Sequence, residues 1–194
     1  MFCPRAPECV DALQNGKNEM NRIVEEIYRG SVVTLAIEDH RLPNGRRARF
    51  EIIRHSGGAA ALPLLPGGRV VLIRQLRPVC GGMVLEIPAG RLESEESPET
   101  CIDRELQEEI GYRAGKLEKL GKMLTTPGYS DEVVHLFAAS ELTPVERSPE
   151  PDECIETVIL PLAEALEMVC SGEIADGRTQ LALLLYSRMS GMSR

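Results

Sequence analysis

The pattern of apolar and polar positions changes once along the chain. Between residues 31 and 88 the apolar positions form short, β-branched runs separated by turn residues. Two hairpins are predicted there, with strands at 31–40, 46–55, 59–65 and 69–76. Their turns carry Pro-Asn-Gly and Pro-Gly-Gly, and a further short strand is predicted at 83–88. The front of the chain is therefore expected to form sheets, while residues 18–30 fit either helix or strand.

From residue 97 the apolar period becomes that of a helix. Ser97 suits the N-cap, Pro98 the first helical position, and Gly111 the C-terminal stop. An apolar stripe lies between them at every fourth residue: Ile102, Leu106 and Ile110. Three strand-like runs follow, and then two helices near 161–171 and 178–189. Strands followed by scattered helices, without βαβ alternation, predict an α+β fold.

Glu105 and Glu109 share the shoulder of this apolar stripe when residues are placed at 100° intervals, while Arg104 and Glu108 fall on the far side. Like charges at such spacing cost a helix roughly 0.2–0.5 kcal/mol per pair. A divalent cation would turn the repulsion into attraction, because Mg²⁺ takes hard oxygen ligands. These residues alone leave two interpretations open: a metal site or a solvated acidic helix surface.

Composition narrows the class of protein. The chain has 194 residues, of which 43% are hydrophobic and 27% charged, as is usual for a soluble globular domain. Six cysteines without metal-ligand spacing, and no recognisable signal peptide, predict reduced thiols and a cytoplasmic location. The net charge of -8 argues against nonspecific nucleic-acid binding, and no apolar run is long enough to span a membrane.

Arginines are concentrated between Arg41 and Leu85, where eight of them accompany a single acid, Glu51. Two interpretations are open at this point. The arginines are solvated residues on strand faces, or some of them bind phosphate, for which the planar guanidinium is well suited.

The segment GRLESEESPETCIDRELQEEIGY, residues 90–112, resembles the signature of the Nudix hydrolases. Every charged and glycine position of that signature is matched, and Tyr112 replaces a usual aliphatic residue, which should affect packing only. The resemblance implies an α/β/α sandwich. It also implies that a loop–helix–loop box binds a divalent metal and cleaves a nucleoside diphosphate linked to another group.

The resemblance implies a metal site made of box residues. Glu105 and Glu109 match the metal-binding glutamates, with Glu108 close by, and the carbonyl of Ala89 matches a backbone ligand. The cofactor implied is Mg²⁺, with Mn²⁺ as the alternative. All three glutamates are also expected to be essential for catalysis.

Four box residues are expected to be structural rather than ligating: Gly90, Glu96, Arg104 and Gly111. Arg104 and Glu96 match the buried pair that holds the box helix in place. Arg104 and Glu108 are also i, i+4 neighbours, so the arginine is expected to orient a ligand from behind.

Further segments resemble the ADP-ribose pyrophosphatase branch: 70–78, 85–90, 126–132 and 172–186. Pro127 stands sixteen residues after Gly111, a spacing typical of that branch. The reaction implied is attack of water on the diphosphate of ADP-ribose, giving AMP and ribose 5-phosphate. The alternative is a GDP-mannose or other nucleotide-sugar pyrophosphatase. A nucleotide-binding module without catalysis is disfavoured, because the box glutamates are all present.

Substrate contacts follow from the same resemblance. Phe50 matches an aromatic residue that sandwiches adenine, although a core position is the competing interpretation for a strand residue. Arg77, and with it Arg54, is expected to contact the terminal ribose or the phosphates. The acidic, proline-rich loop 146–156 is expected to carry the carboxylate that deprotonates or orients water. Glu153 is the chosen residue, with Glu150 and Asp152 behind it.

Three regions are expected along the chain. Residues 1–20 form a leader, 21–55 an N-terminal β-hairpin segment, and 56–194 the Nudix hydrolase domain. In this branch the N-terminal hairpin exchanges with a partner subunit, so the resemblance implies a homodimer whose active sites are built from both chains.

Overall fold

The computed structural model describes residues 21–149 and 154–191. The strands in these ranges are β1 Asn21–Arg29, β2 Val33–Arg41, β3 Arg47–His55, β4 Gly58–Leu65, β5 Arg69–Arg77, β6 Gly82–Glu86, β7 Ala89–Arg91, β8 Tyr112–Arg113, β9 Lys116–Leu124, β10 Val133–Ser140, β11 Thr143–Pro144 and β12 Ile155–Pro161. The α-helices in the same ranges are α1 Pro98–Ile110, α2 Leu162–Ser171 and α3 Gly177–Met189. A 3-10 turn at Pro78–Cys80 follows β5. The predicted α+β class is confirmed.

The chain divides into two compact units. In the described residues, the first unit runs to Gly57 and also includes Leu124–Val133. The second unit comprises Gly58–Met123 and the described residues from Val134 onward. The division predicted from the sequence, at 55/56, stays a prediction. The pattern of apolar and polar positions gave no sign that residues 124–133 would cluster with the N-terminal strands.

The first unit contains a three-stranded antiparallel sheet in the order β1-β2-β3. The predicted hairpin is present as β2 and β3, in register from Val33↔His55 to Arg41↔Arg47. Of the ambiguous stretch 18–30, the described part forms β1, with register shifts at two places. The segment 124–133 is held by Ile53, whose N–H donates to the Tyr129 carbonyl at 2.8 Å and whose carbonyl accepts from the Asp131 N–H.

The second unit is built on a mixed sheet in the order β12-β5-β4-β10-β9, with β6 beside β5 and β7 beside β4. β4 and β10 are parallel, while β5 pairs antiparallel with β4, β6 and β12. The β4–β7 pairing places Ala59 opposite Gly90 and Ala60 opposite Ala89. This register places Ala89 and Gly90, where the Nudix-like box begins, beside β4, the central strand of the sheet.

Buried apolar residues cover both faces of this sheet. On one face Leu72 and its neighbours pack with α2 and α3, through residues such as Ala165 and Leu183. On the other face Val71 and its neighbours pack with α1, through Ile102 and Leu106. Adjacent strand residues therefore serve opposite clusters, as the two-residue period of a strand requires. The result is the α/β/α sandwich that the resemblance implied.

In the described part of the chain, no helix has both the length and the apolarity needed to cross a membrane. The cysteines located there are free thiols: Cys80, Cys101, Cys154 and Cys170.

Candidate active site

The acidic helix α1 begins and ends where its local sequence predicts. The Ser97 Oγ accepts a hydrogen bond from the Thr100 N–H at 3.1 Å, and Pro98 occupies the first turn. Gly111 closes the helix with φ of 70°, a left-handed conformation that glycine adopts without strain, and its N–H donates to the Gln107 carbonyl. Both ends of α1 are thereby fixed, and so is the direction of its side chains.

Glu105 and Glu109 lie on the inward side of α1, as their place beside the apolar stripe predicted. Glu105 is 8% exposed and Glu109 only 1%. The Ala89 N–H donates to Glu109 Oε2 at 3.1 Å, which ties the helix to the start of β7. The Glu108 side chain is 27% exposed and lies further out. Two carboxylates are therefore held at the edge of the core, where burial of negative charge is unfavourable unless it is compensated.

Gly90 is required by the position of Glu105. A Cβ atom built on Gly90 would overlap the Glu105 carboxylate, so the carboxylate lies directly against the glycine Cα. Any side chain at residue 90 would displace it. Gly58 contributes in the same way from β4, because a Cβ there would come within 2.7 Å of the Gly90 carbonyl oxygen. The sequence motif gave Gly90 but not Gly58.

Arg104 connects three carboxylates. Its Nη1 donates to Glu105 Oε1 at 2.8 Å and to Glu108 Oε2 at 2.9 Å, and its Nε donates to Glu96 Oε1 at 3.1 Å. Burial alone would lower the pKa of the Arg104 guanidinium, but the hydrogen bond to Glu96 and the charge of Glu105 raise it above its ordinary range. The predicted contacts of Arg104 with Glu96 and Glu108 are both present, and the contact with Glu105 is additional.

Cys101, one turn before Glu105, is a buried thiol that sequence reasoning did not assign. Its Sγ lies 3.5 Å from the Arg91 carbonyl and 3.7 Å from the Gly90 carbonyl. Burial first, and then the negative charges of Glu96 and Glu105, raise its pKa to about 12. The thiol stays protonated at neutral pH and is a poor nucleophile.

The donor set of this site fits a divalent cation of the Mg²⁺ type. Among residues 21–149 and 154–191, no three His, Cys, Asp or Glu side chains already form a complete ligand group. Mg²⁺ does not need one, since it is usually bound by one or two carboxylates, with waters and substrate phosphates completing the octahedron. Glu105 and Glu109, nine-tenths buried and all-oxygen, are donors of that kind.

A second group of charges surrounds Glu86, at the end of β6. Arg77 donates to it from Nε at 3.1 Å and from Nη2 at 2.7 Å, and Arg178 donates from Nη2 at 2.9 Å. The hydrogen bond to Glu86 raises the pKa of Arg77, and the charges of Glu109 and Asp176 act in the same direction. Arg77 was a predicted site residue. Glu86 and Arg178 were missed, because the two residues that meet here are 92 positions apart in sequence.

Phe50 and Arg54, the other predicted substrate contacts, belong to β3 in the first unit. Phe50 is 40% exposed and meets the His40 ring edge-on at 5.4 Å, so the plain core interpretation is wrong. Arg54 donates to the buried Glu38 at 2.6 Å and to Asp131 at 2.9 Å. In the arginine-rich stretch 41–85, Arg47, Arg54 and Arg77 pair with acids that lie outside it. Glu153, Glu150 and Asp152 lie outside the described residues.

The comparisons with known proteins agree with a helix–sheet–helix hydrolase carrying this box. A NUDIX domain family model matches residues 54–176. The chain belongs to the Nudix family and is a Nudix hydrolase.

Its relatives confirm the resemblance to the ADP-ribose pyrophosphatase branch. The chain is 41% identical to the ADP-ribose pyrophosphatase of Bacillus subtilis over 82% of its own length and 87% of that protein. It is 37% identical to the methanol dehydrogenase activator of Bacillus methanolicus over the same shares of the two chains. It is also 41% identical to the GDP-mannose pyrophosphatase of Klebsiella pneumoniae, over 75% of this chain and 81% of that protein.

The fold is similar to the crystal structure of an ADP compounds hydrolase. The TM-score is 0.76 at 23% identity, with 91% of this chain and 97% of that chain covered. At that identity the likeness supports the fold alone, and it agrees with the α/β/α sandwich.

Proposed function

We propose that this Nudix hydrolase cleaves the diphosphate of ADP-ribose, giving AMP and ribose 5-phosphate, with Mg²⁺ as its cofactor and Mn²⁺ as the alternative ion. The observation that carries the proposal is the pair of buried carboxylates, Glu105 and Glu109, fixed against Gly90 and the Ala89 N–H. The kinship with the Bacillus subtilis ADP-ribose pyrophosphatase supports the choice of substrate.

In this mechanism Glu105 and Glu109, with Glu108 and the Ala89 carbonyl, would hold the divalent ion. When bound, the ion supplies positive charge against the diphosphate and makes water a stronger nucleophile. Arg104 keeps Glu105 and Glu108 oriented through its hydrogen bonds to both. Glu153 is the proposed residue that deprotonates or orients the water.

Three further residues are proposed to contact the substrate. Arg77 contacts the terminal ribose or the phosphates and stabilises charge that builds on the leaving oxygens. Phe50 stacks on the adenine, and Arg54 contacts the terminal ribose or the phosphates. The exposure of Phe50 supports this role, since a ring that is 40% exposed has a face available.

The test of the metal site compares Glu109→Gln with Glu99→Gln on the same helix. Glu99 lies in the first turn and makes an ion pair with Lys119, and such surface pairs contribute at most about 1 kcal/mol. We expect Glu109→Gln to lose turnover and Mg²⁺ binding by calorimetry while keeping its circular dichroism spectrum. Glu99→Gln should retain both turnover and Mg²⁺ binding. Parent-like hydrolysis by Glu109→Gln would show that the metal site is assigned wrongly.

The second candidate function is hydrolysis of GDP-mannose or another nucleotide sugar. It is favoured by the 41% identity to the GDP-mannose pyrophosphatase of Klebsiella pneumoniae. A panel of ADP-ribose, GDP-mannose and diadenosine polyphosphates, with product identification, separates the candidates. AMP and ribose 5-phosphate from ADP-ribose, at the highest kcat/KM of the panel, is the expected result. A higher kcat/KM for GDP-mannose would replace the proposed substrate.

We propose that the chain forms a homodimer through its N-terminal strands. Support comes from large apolar side chains that are 45–58% exposed on β1 and just before β2: Ile23, Val24, Ile27, Tyr28 and Val32. Light scattering after gel filtration should give a dimer for the parent chain and a monomer for Ile27→Lys. Val79→Lys, at a residue that is 95% exposed in the second unit, is the matched control and should stay dimeric. A monomeric parent would exclude the proposal.

A further inference from the structure

One buried hydroxyl joins helix α3 to the backbone that leads into the box. Thr179 is 0% exposed, and its hydroxyl accepts a hydrogen bond from the Ile87 N–H at 2.8 Å. The same hydroxyl donates to Asp176 Oδ2 at 2.7 Å. Ile87 is also fully buried and lies in the link between β6 and β7. The contact ties the first turn of α3 to a residue 92 positions earlier in the chain.

Helix α3 does not itself need a threonine at residue 179. Asp176 is the N-cap, and its carboxylate accepts from the Thr179 N–H at 2.9 Å, which is the usual capping contact. Threonine is a weaker helix former than alanine or leucine, and a buried hydroxyl is unfavourable unless it is hydrogen-bonded. Valine would fill the same space without a polar group. The contact that only the hydroxyl provides is the acceptor for the Ile87 N–H.

The backbone from Ile87 to Ala89 is held by a different element at each residue. The Ile87 N–H is bound by Thr179 on α3. The Pro88 carbonyl accepts from an N–H of β4 at 3.0 Å, and the Ala89 N–H donates to Glu109 on α1 at 3.1 Å. Proline has no N–H. Both N–H groups of this segment are therefore bound by side chains, from helices that lie on opposite faces of the sheet.

The segment places Thr179 close in chain path to the metal-binding candidates. Ile87 and Ala89 are two residues apart, which an extended chain spans in at most about 7 Å. Ala89 carries the carbonyl proposed as a backbone ligand, and its N–H holds the buried Glu109. Without its acceptor, the buried Ile87 N–H would be unsatisfied, which is costly. The segment would shift toward another acceptor, and Ala89 would move with it.

We infer that Thr179 is a positioning residue of the metal site, because its hydroxyl fixes the segment that carries Ala89 and holds Glu109. The inference deepens the proposed function and rests on it for the metal ion. It gives α3 a part in binding the cation, although no residue of α3 belongs to the proposed ligand set. The competing explanation is that the hydroxyl only fastens α3 to the sheet.

The experiment compares three variants of the full chain: Thr179→Val, Thr179→Ser and Ser187→Ala. Valine has the shape of threonine but no hydroxyl, and serine restores the hydroxyl without the methyl group. Ser187 is 9% exposed and lies about two turns further along α3. Ser187→Ala is therefore the control for loss of a buried hydroxyl from the same helix.

The first measurement is hydrogen exchange of the Ala89 N–H in the metal-free protein, followed by NMR. We expect exchange at Ala89 to be about ten-fold faster in Thr179→Val than in Ser187→Ala, in line with the worth of one hydrogen bond. Amides of the central strand β10 report global opening and correct for any change in overall stability. Thr179→Ser should return the Ala89 N–H to the parent rate.

The second measurement is Mg²⁺ affinity by calorimetry. Thr179→Val should bind Mg²⁺ roughly three- to ten-fold more weakly than the parent, again the worth of one hydrogen bond. Ser187→Ala should bind Mg²⁺ as the parent does, and Thr179→Ser should recover most of the affinity. Saturating Mg²⁺ should restore most of kcat in Thr179→Val, because every proposed ligand is still present.

The inference is overturned if Thr179→Val binds Mg²⁺ as tightly as Ser187→Ala does, whatever its thermal stability or its exchange at Ala89. Should Thr179→Val fail to fold, Asp176→Asn decides. This variant keeps a capping residue but removes the charge that orients the Thr179 hydroxyl, so it should weaken Mg²⁺ binding to a smaller extent. Parent-like affinity in Asp176→Asn would then overturn the inference.

These outcomes differ from failure of the proposed function. If Glu109→Gln retains Mg²⁺ binding, the proposed metal site is wrong and the inference falls with it. If Glu109→Gln loses Mg²⁺ binding while Thr179→Val matches its control, the inference alone fails.

Discussion

The Glu105 carboxylate lies where residue 90 has no side chain. Its atoms occupy the space that a Cβ on Gly90 would fill, so its position depends on one missing methyl group. Glycine at this point serves a close approach rather than a turn. The flexibility usually attributed to a loop glycine is not the reason for its presence here.

Replacing Gly90 by alanine should therefore remove activity without unfolding the protein. The methyl group pushes Glu105 away from its position, and a displacement of roughly 1 Å at a catalytic centre can cost about 100-fold in rate. We expect kcat/KM to fall at least that far while thermal stability changes modestly. Gly121→Ala is the control, since a Cβ at Gly121 meets only the Leu185 side chain at an ordinary 3.7 Å. Equal rates for the two variants would contradict the assignment.

Arg104 acts on the metal-binding candidates from behind. It holds Glu105 and Glu108 on one nitrogen while its Nε is fixed by Glu96. Removing the Arg104 guanidinium would leave Glu96 and the buried Glu105 without their shared partner, and the like charges of the two carboxylates would repel.

The expected result of Arg104→Gln is weaker Mg²⁺ binding, by about 10- to 100-fold, as is typical when a residue behind a metal ligand is lost. Arg104→Lys should fall between Gln and the parent, because one ammonium group cannot reproduce the planar guanidinium contacts. Metal titration of activity measures the effect. Arg113→Gln, at an exposed residue just after α1, is the control, and a Mg²⁺ requirement unchanged in both would rule out the orienting role.

At the scale of elements, α1 carries the acidic residues and its N-terminus is capped by the Ser97 hydroxyl. Ser97→Ala removes the acceptor of the Thr100 N–H, so the free energy of unfolding should drop by about 1 kcal/mol. Ser94→Ala, in the exposed turn before the helix, should leave it unchanged. Chemical denaturation compares the two. Since the site residues lie further along the helix, kcat/KM should be nearly the same in both, and a large loss in Ser97→Ala would show that capping positions the site.

The elements that sequence reasoning predicted correctly are those whose determinants are local. Helix α1 has its cap, proline, apolar stripe and terminal glycine within fifteen residues of one another. Strand β1 could not be separated from a helix, because register shifts at Ile23/Glu25 and Glu26/Tyr28 break its alternation. The side chains of residues 23–29 are also all exposed, so burial imposes no period on them.

The site residues also fall into two groups, those with local determinants and those brought together from distant parts of the sequence. The box residues share one helix and its flanking loops, so their spacing was enough to predict their neighbours. The contact of Arg178 with Glu86 joins residues that are 92 positions apart, and the contact of Arg54 with Asp131 joins residues 77 positions apart. Such pairs can be predicted only when the register of the sheet and the docking of the helices are known. The eight arginines of residues 41–85 were visible in the sequence, but the acids that pair with Arg47, Arg54 and Arg77 were not.

At the scale of the whole molecule, acid should lower the free energy of unfolding in two separate ranges of pH. Burial raises the pKa of Glu96, but the hydrogen bonds from Arg104 and the Glu93 N–H lower it overall. A carboxyl whose pKa is lowered by folding adds stability above its unfolded value of 4.5, and that stability is lost as the pH falls below it. The Glu96–Arg104 pair therefore contributes to acid unfolding only in this lower range.

His135 on β10 should determine how stability changes in the upper range of pH. It is 8% exposed, and burial first, then the charges of Lys122 and Lys119, lower its pKa below 6.5 against the opposing charge of Glu99. The unfolded chain binds this proton more readily than the folded chain, so stability is complete above pH 6.5 and declines as the pH falls toward the lowered pKa. We expect denaturant titrations between pH 7.5 and about 5 to show a falling free energy of unfolding for the parent. In His135→Gln the decline should be smaller, because the titrating group is gone, although the variant starts from a lower stability at pH 7.5. An identical slope in parent and variant would mean that other groups take up the protons in this range.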